Sequence, residues 1–126
     1  NFKQFKRTAT KLPFDHHMIA ALCAPRGLLF IENTSQTWLG NESCWATGNA
    51  TSMIYQALGI ADNMRFSQNG HSDHCGFPDA QIPELVAFVK KFLLNNNTVD
   101  THVLKTDGSF TFDKNKWINW DIPELK

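Results

Sequence analysis

The sequence lacks several features that would assign a protein quickly to a functional class. It has no excess of either charge, because 12 Lys and Arg residues balance 12 Asp and Glu residues. A balanced charge argues against a nucleic acid or an anionic membrane that is held by electrostatics. No run approaches the roughly 18 consecutive apolar residues that a membrane span needs. We therefore expect neither a nucleic acid nor a membrane among the partners of this protein.

Cysteine is scarce, with one residue each at Cys23, Cys44 and Cys75. No pair has the Cys-x-x-Cys spacing of a zinc finger, so a metal site of that type is not expected. An odd number of cysteines cannot all pair within the chain. The start at Asn1 has neither an initiator Met nor the apolar core of a signal peptide. We therefore expect the chain to be cut from a longer polypeptide, with a cysteine upstream as one disulfide partner.

The chain has 126 residues and is 42% hydrophobic, which is enough for the core of one modest domain. Hydrophobic periodicity and capping residues predict helices and strands in alternation. The predicted helices cover 16–22, 46–58 and 80–94, and the predicted strands cover 27–32 and 64–68. Residues 33–44 are expected to be loop, and the first strand, a continuous apolar run, is expected to be buried on both faces.

This order of elements is that of the end of a doubly wound α/β sheet. Two parallel strands alone leave exposed edges and make a poor sheet. The fold is therefore expected to need further strands from an upstream segment.

The loop after the second strand contains the first candidate site. His71, Asp73 and His74 lie there, and ligands of open α/β sheets bind beyond the carboxyl ends of the strands. A histidine in this position can act as a general base because the unperturbed pKa of an imidazole is near neutral. A histidine after the last strand also fits the Ser, acid, His order of α/β-hydrolases. The alternative is a solvated or structural histidine.

The same loop offers ligand types that suit zinc, in His71, Asp73, His74 and Cys75. Residues so close in sequence rarely converge on one ion without a distant partner, so a plain polar loop is favoured and no metal is expected.

Two further positions remain open between a functional and a structural role. Trp38 and Trp45 flank a glycine-containing loop, where indoles either stack on sugars or cover the core. Glu32 ends the first strand, where it either orients a catalytic histidine or lies in solvent.

Four Asn-x-Ser/Thr sequons favour a secreted glycoprotein, and they begin at Asn33, Asn41, Asn49 and Asn96.

Taken together, several stretches resemble the fungal glucuronoyl esterases, carbohydrate esterase family fifteen. The resemblance follows one order over nearly the whole chain and includes Trp38-Leu39-Gly40 and His74-Cys75. The other matching stretches are 12–17, 20–28, 31–33, 57–59, 64–68, 77–78 and 117–120.

The resemblance implies an α/β-hydrolase, with residues 1–126 forming the C-terminal part of a mostly parallel three-layer αβα sandwich. The activity implied is serine-type hydrolysis of the ester between 4-O-methyl-glucuronic acid of glucuronoxylan and lignin alcohols, with no metal or organic cofactor. It also implies that His74 is the catalytic histidine and that Trp38 contacts the uronate. Cys75 is expected to bond a cysteine beside the serine nucleophile. A secreted, monomeric enzyme is expected.

The chain departs from the family pattern in ways that limit what it does alone. The Gly-Cys-Ser-Arg motif of the serine nucleophile is absent, and the usual acid is absent as well, so both are expected upstream and the chain alone is expected to be inactive. Cys44 lies three residues before the usual disulfide position at Thr47 and is a candidate for a shifted disulfide. The alternatives are another carbohydrate esterase, such as an acetyl esterase, and a non-catalytic carbohydrate-binding module or degenerate hydrolase.

Overall fold

A sheet of three parallel strands organises the protein, for which a computed structural model describes residues 2–125 apart from the side chain of Phe2. Seven helices and strands follow one another along these residues: α1 (His16–Ala21), β1 (Leu28–Glu32), α2 (Asn41–Ala57), β2 (Met64–Gln68), α3 (Ile82–Phe92), β3 (Leu104–Thr106) and α4 (Lys114–Trp117). Short 3₁₀ turns connect several of them. The predicted α/β class is confirmed.

The strand order is β1-β2-β3, so each helical crossover connects neighbouring strands. Leu28 pairs with Met64 and Glu32 with Gln68, while β3 pairs with the second half of β2. Because the strands are parallel, all three carboxyl ends meet at one edge of the sheet. The segments that begin at Asn33, Asn69 and Asp107 therefore lie side by side at this edge, which positions the candidate site.

The burial of β1 differs from the prediction, which had this strand buried on both faces. All five residues of β2 are buried, whereas those of β1 are half-buried. Strand β2 lies between two neighbours, while β1 borders the sheet within residues 2–125, so strand position decides burial more than apolar content does. The polar side chains of β2 are paired: Arg65 binds Asp62 and the carbonyl of Thr101, and Gln68 binds Asn41 and Thr106.

Helix α2 begins five residues earlier than predicted, so the expectation that residues 33–44 are all loop is wrong. Gly40 precedes the helix with φ of 75°, a left-handed conformation that glycine adopts without a steric penalty. The buried face of α2 consists mainly of small residues, and it approaches β2 so closely that a Cβ at Gly48 would lie 2.4 Å from the ring of Phe66. Tyr55, Met64 and Phe66 form the centre of the core.

The C-terminal third adds one strand that the sequence pattern did not predict. Leu104–Thr106 is short and contains a lysine, and only its partner β2 makes it a strand. The aromatic tail packs on the body as expected, because the ring of Trp120 lies 5.9 Å from that of His17 and Lys116 pairs with Glu42. None of the helices formed by residues 2–125 combines the length and the hydropathy of a membrane span.

Candidate active site

His74 lies in the loop 69–78, which leaves the carboxyl end of the buried strand β2. The imidazole is exposed, and its Nδ1 lies 3.4 Å from Sγ of Cys75. Within residues 2–125, Nε2 makes no hydrogen bond, so this nitrogen is open to a hydroxyl group from outside the described part of the chain. The loop thus presents a histidine whose free nitrogen can accept and return a proton.

Trp38 covers one face of this imidazole. It lies in the short turn Thr37–Leu39 that follows β1, and its ring centroid is 4.9 Å from that of His74 at an interplanar angle of 30°. The Trp38 side chain is nevertheless 69% exposed, so most of the indole remains open to a ligand. The indole Nε1 donates to Oε1 of Gln36 (3.2 Å), and Gln36 Nε2 donates to the carbonyl of Ser72 (3.4 Å).

Trp45 has a different environment from Trp38. It is half-buried in α2, and its ring packs edge-on against Phe66 at a centroid distance of 5.5 Å. Of the two tryptophans that the sequence left open, Trp45 therefore belongs to the core, and Trp38 remains the one available to a sugar.

The start of the histidine loop is anchored to β1 by Asn33. Its Oδ1 accepts hydrogen bonds from the backbone N–H of His71 (3.2 Å) and of Ser35 (2.8 Å). Its Nδ2 donates to the carbonyl of His71 (3.0 Å), and the residue is only 5% exposed. A buried amide that uses both its donor and its acceptor on one backbone segment fixes that segment relative to the sheet.

Asp107 makes a second anchor from the end of β3. Its carboxylate accepts from the N–H of Gly70 (2.7 Å), from Nδ2 of Asn69 (3.3 Å) and from Oγ1 of Thr34 (2.5 Å). Partial burial alone would raise the pKa of this carboxyl, but the hydrogen bonds from Gly70 and Thr34 outweigh it and lower the pKa below its ordinary value. One ionised side chain therefore connects the segments that follow all three strands.

Sequence reasoning missed this anchor and assigned Asn33 only as a sequon. Asp107 follows a strand that the pattern did not reveal, so nothing marked it as a neighbour of the loop. Once β3 is known, one sequence signal for the anchor can be seen: an Asn or Asp directly follows each of the three parallel strands. These residues are Asn33, Asn69 and Asp107.

Glu32 and Cys44 lie in a separate place, a cavity of about 430 Å³ between α1, α2, β1 and the tail. Burial raises the pKa of the Glu32 carboxyl, and burial together with the charge of Glu32 raises the pKa of the Cys44 thiol. His17 also lines this cavity, but His74 does not. The structure thus does not bring Glu32 together with the histidine that it was considered to orient.

Two kinds of site are not assembled by the described residues. No three His, Cys, Asp or Glu side chains within residues 2–125 are arranged to hold a metal ion, including those of the loop 69–78. No serine hydroxyl in the same range hydrogen-bonds to His74. Cys23, Cys44 and Cys75 all carry free thiols in this structure, and those of Cys23 and Cys75 are exposed.

Comparison with known proteins gives a consistent result. A family model described as fungal glucuronyl esterase matches residues 1–59. The 4-O-methyl-glucuronoyl methylesterase 1 of Phanerochaete chrysosporium is 44% identical over 128 residues, which cover 99% of this chain and 27% of that protein. The corresponding enzyme of Hypocrea jecorina is 44% identical over 124 residues, which cover 98% of this chain and 26% of that protein. The chain spans about a quarter of the length of these curated relatives.

Solved structures agree with the sequence matches. The glucuronoyl esterase catalytic domain from Hypocrea jecorina has a TM-score of 0.87 at 42% identity, covering 99% of this chain and 33% of that one. A mutant glucuronoyl esterase from Sporotrichum thermophile, solved with methyl 4-O-methyl-β-D-glucopyranuronate, has a TM-score of 0.81 at 34% identity, covering 92% of this chain and 30% of that one. The α/β-hydrolase type of fold is thereby confirmed. Over nearly its whole length, the chain is similar to glucuronoyl esterases, of which it matches about a quarter to a third.

Proposed function

We propose that this protein is the histidine-bearing C-terminal part of a serine-type glucuronoyl esterase catalytic domain. The reaction is hydrolysis of the ester between 4-O-methyl-glucuronic acid of glucuronoxylan and an alcohol of lignin. The observation that carries the proposal is the exposed pair of His74 and Trp38 at the carboxyl edge of the sheet. The names of the relatives and the methyl uronate bound to one of them support this substrate class.

His74 is the general base and general acid of the proposed mechanism. Its free Nε2 takes the proton of a serine hydroxyl while the serine oxygen bonds to the ester carbonyl carbon. The tetrahedral adduct then expels the lignin alcohol, which receives the proton from His74, and an acyl-enzyme remains. Water gives a proton to the same nitrogen as it attacks the acyl carbon, and the serine leaves with that proton. The serine and the acid that orients the imidazole belong to polypeptide outside these 126 residues, so the chain alone is inactive.

Trp38 supplies positioning rather than chemistry. Its exposed indole face can stack on a sugar ring, and its contact with His74 sets the distance from that ring to the base. Gln36 connects the two segments through Trp38 Nε1 and the carbonyl of Ser72. These contacts hold the ester carbonyl near the serine and His74. Such positioning lowers the entropic part of the activation barrier.

Cys75 directly follows the base and has an exposed thiol. In the proposed enzyme this thiol forms a disulfide with a cysteine beside the serine nucleophile, which holds nucleophile and base together. Cys44 is proposed as the site of a second disulfide with a partner outside the chain. Both bonds require an oxidising compartment, which agrees with a secreted, extracellular enzyme. We also propose that this enzyme is monomeric. Hydrolysis by this route uses no metal or organic cofactor.

The test is His74→Ala in the esterase that contains this chain, assayed on a methyl ester of 4-O-methyl-glucuronate. Because the variant loses the proton acceptor, kcat is expected to fall roughly 10²–10⁴-fold or more, while the thermal unfolding of the protein changes little because the imidazole is exposed.

His71→Ala is the matched control. The loop is anchored through the backbone N–H and carbonyl of His71, so removal of its ring leaves both hydrogen bonds in place. This variant is expected to keep near-normal turnover. Full activity of His74→Ala, or loss of activity in His71→Ala alone, would show that the base is misassigned.

A further inference from the structure

The four sequons occupy different environments in the folded protein. In three of them the asparagine amide already has a structural role. Asn33 Nδ2 donates to the carbonyl of His71 (3.0 Å), Asn41 Nδ2 to that of Thr34 (2.5 Å), and Asn49 Nδ2 to that of Trp45 (2.8 Å). Asn33 and Asn41 are buried and Asn49 is half-buried within helix α2. A glycan on any of these nitrogens would replace one of its two hydrogens and place a sugar inside packed structure, directly beside the hydrogen bond that the nitrogen donates.

The fourth sequon is arranged differently. Asn96 is exposed in the turn after α3, and its Nδ2 makes no hydrogen bond within residues 2–125. Its Oδ1 accepts from the N–H of Thr98 (3.1 Å) and from Oγ1 of Thr98 (2.7 Å). Of the four sequons, this is the one whose hydroxyl group donates to its own asparagine, because in the first sequon only the backbone N–H of Ser35 does so. Thr51 and Ser43, in comparison, direct their hydroxyls to the carbonyls of Thr47 and Gly40.

We infer that Asn96 is the N-glycosylation site of this protein and that Asn33, Asn41 and Asn49 are unmodified structural residues. The inference rests on the proposed secretion, because the donor is a lipid diphosphate-linked oligosaccharide of the secretory pathway. In the transfer, Asn96 Nδ2 forms a bond to C1 of the first N-acetylglucosamine. The bond from C1 to the diphosphate oxygen breaks, the lipid diphosphate leaves with the electron pair, and the amide proton passes to a base of the transferase.

The position of Asn96 in the fold agrees with an attached sugar. Helix α3 returns from the histidine loop to the amino edge of the sheet, where Arg65 Nε, near the start of β2, donates to the carbonyl of Thr101 (2.8 Å). The five residues of β2 separate this edge from the loop 69–78 by roughly 16 Å. A glycan at Asn96 therefore projects from the end of the sheet opposite His74 and leaves the substrate side open.

The glycan would also lie beside an apolar surface. Leu93 and Leu94 directly precede the turn and are 74% and 68% exposed. A bulky hydrophilic group next to such side chains increases solubility, because it limits their contact with other chains.

The test measures the occupancy of each sequon in the complete esterase that contains this chain, produced in the secretory pathway of yeast behind a host signal sequence. Treatment with a peptide N-glycosidase in heavy-oxygen water converts each occupied asparagine to a labelled aspartate, which peptide mass spectrometry locates. We expect the label at Asn96 and at none of the other three. An unlabelled Asn96, or a label at Asn33, Asn41 or Asn49 in the secreted folded protein, would overturn the inference.

Variants within the turn provide the controls. Asn96→Gln and Thr98→Ala should each remove the glycan, while Asn97→Ala keeps an intact sequon and should keep it. Esterase assays on the same proteins separate this inference from the proposed function. Activity together with a bare Asn96 refutes the glycan alone, and a glycosylated Asn96 on a protein that cleaves no uronate ester refutes the function alone.

Discussion

Trp38 and Trp45 show how one residue type takes two roles within a short stretch of chain. Trp45 packs edge-on against Phe66 in the core, whereas Trp38 stands in an exposed turn against His74. Composition and spacing do not distinguish them, because both follow the same strand in a segment rich in polar residues. What distinguishes them is Gly40, which ends the turn and starts α2, so that Trp45 faces the sheet.

Replacing Trp38 by alanine should weaken hydrolysis of uronate esters more than hydrolysis of simple acetate esters. The indole is proposed to contact the sugar ring, which an acetate ester of a small alcohol does not have, and aromatic contacts of this kind contribute about 0.5–1.5 kcal/mol. We expect KM for a methyl glucuronate ester to rise about two- to tenfold in the complete esterase, with a smaller change for the acetate ester.

Trp38→Phe is the matched variant, since it keeps an aromatic face over His74 but loses the N–H that Gln36 accepts. It should lie between wild type and Trp38→Ala in steady-state assays on both esters. Equal losses on both esters in Trp38→Ala would assign the residue a packing role and would favour an acetyl esterase over a uronate esterase.

At the scale of the element, the connected loops that follow the three strands contain the candidate site. Their arrangement was also the hardest feature to predict from the sequence. Asp107 binds Gly70, Asn69 and Thr34, and so joins the ends of β1 and β2 to β3. Such a carboxylate holds the histidine loop from one side while Asn33 holds it from the other.

Asp107→Asn should destabilise the protein because it replaces the negatively charged acceptor of three hydrogen bonds. We expect a loss of about 1 kcal/mol near neutral pH, toward the lower end for charged hydrogen bonds because the site is largely exposed. The pKa of the Asp107 carboxyl is lower in the folded protein than in the unfolded chain. Its contribution is therefore fully present above the unfolded pKa and is lost as pH falls through the folded pKa.

Urea unfolding of the wild type and of Asp107→Asn over a series of pH values measures this. The difference in unfolding free energy should be constant around neutral pH and should shrink toward strongly acidic pH. Asp113, whose carboxylate accepts a hydrogen bond only from the N–H of Asn115 among residues 2–125, provides Asp113→Asn as a control with a smaller effect. A difference for Asp107→Asn that does not vary with pH would mean that the carboxylate charge has no part in the anchor.

The elements themselves were largely predictable from the sequence. Helix α1 begins at the predicted Asp15 cap, whose carboxylate accepts from the N–H of His16, and β2 has the predicted bounds. The start of α2 was missed because its first turn, Asn41-Glu42-Ser43, is polar and has the composition of a loop. Strand β3 was missed because three residues are too few to show a periodic pattern. Its strand conformation comes from pairing with β2.

The candidate site was predictable as a list of residues but not as an arrangement. His74 and Trp38 could be selected from the sequence, and their 4.9 Å ring contact could not, since it joins segments that follow different strands. The sequons at Asn33 and Asn41 were likewise visible in the sequence, but a local motif does not reveal long-range hydrogen-bond partners such as His71.

At the scale of the whole molecule, several apolar side chains remain exposed in this structure. Leu22 of the segment after α1 is 79% exposed, and Ile82, Leu85 and Val86 on α3 are exposed as well. Surfaces of this kind are typical of interfaces. The relatives are three to four times longer than the matched region, and the proposed esterase buries these surfaces against the rest of its sheet and helices.

The chain by itself is therefore expected to cleave no uronate ester, and the remaining part of a glucuronoyl esterase is expected to restore activity when both are produced together. Only the combination contains both the serine and His74. Release of methanol from a methyl 4-O-methyl-glucuronate in lysates containing either part, both parts, or both with His74→Ala measures this. Activity of the 126-residue chain alone would show that its own residues supply the nucleophile.

Beyond the two anchors, the main chain of a short span of the histidine loop is hydrogen-bonded within residues 2–125 only through carbonyl groups: that of Ser72 accepts from Gln36 Nε2 and that of Asp73 from the N–H of Gly76. The amides of Asn69, Gly70 and His71 are each hydrogen-bonded, whereas those of Ser72, Asp73 and His74 donate no hydrogen bond within residues 2–125. Local opening of those three peptide units breaks none of the strand pairing, so it takes far less free energy than global unfolding. In the proposed esterase, the imidazole is therefore expected to adjust to alcohol leaving groups of different bulk while the sheet beneath it stays closed.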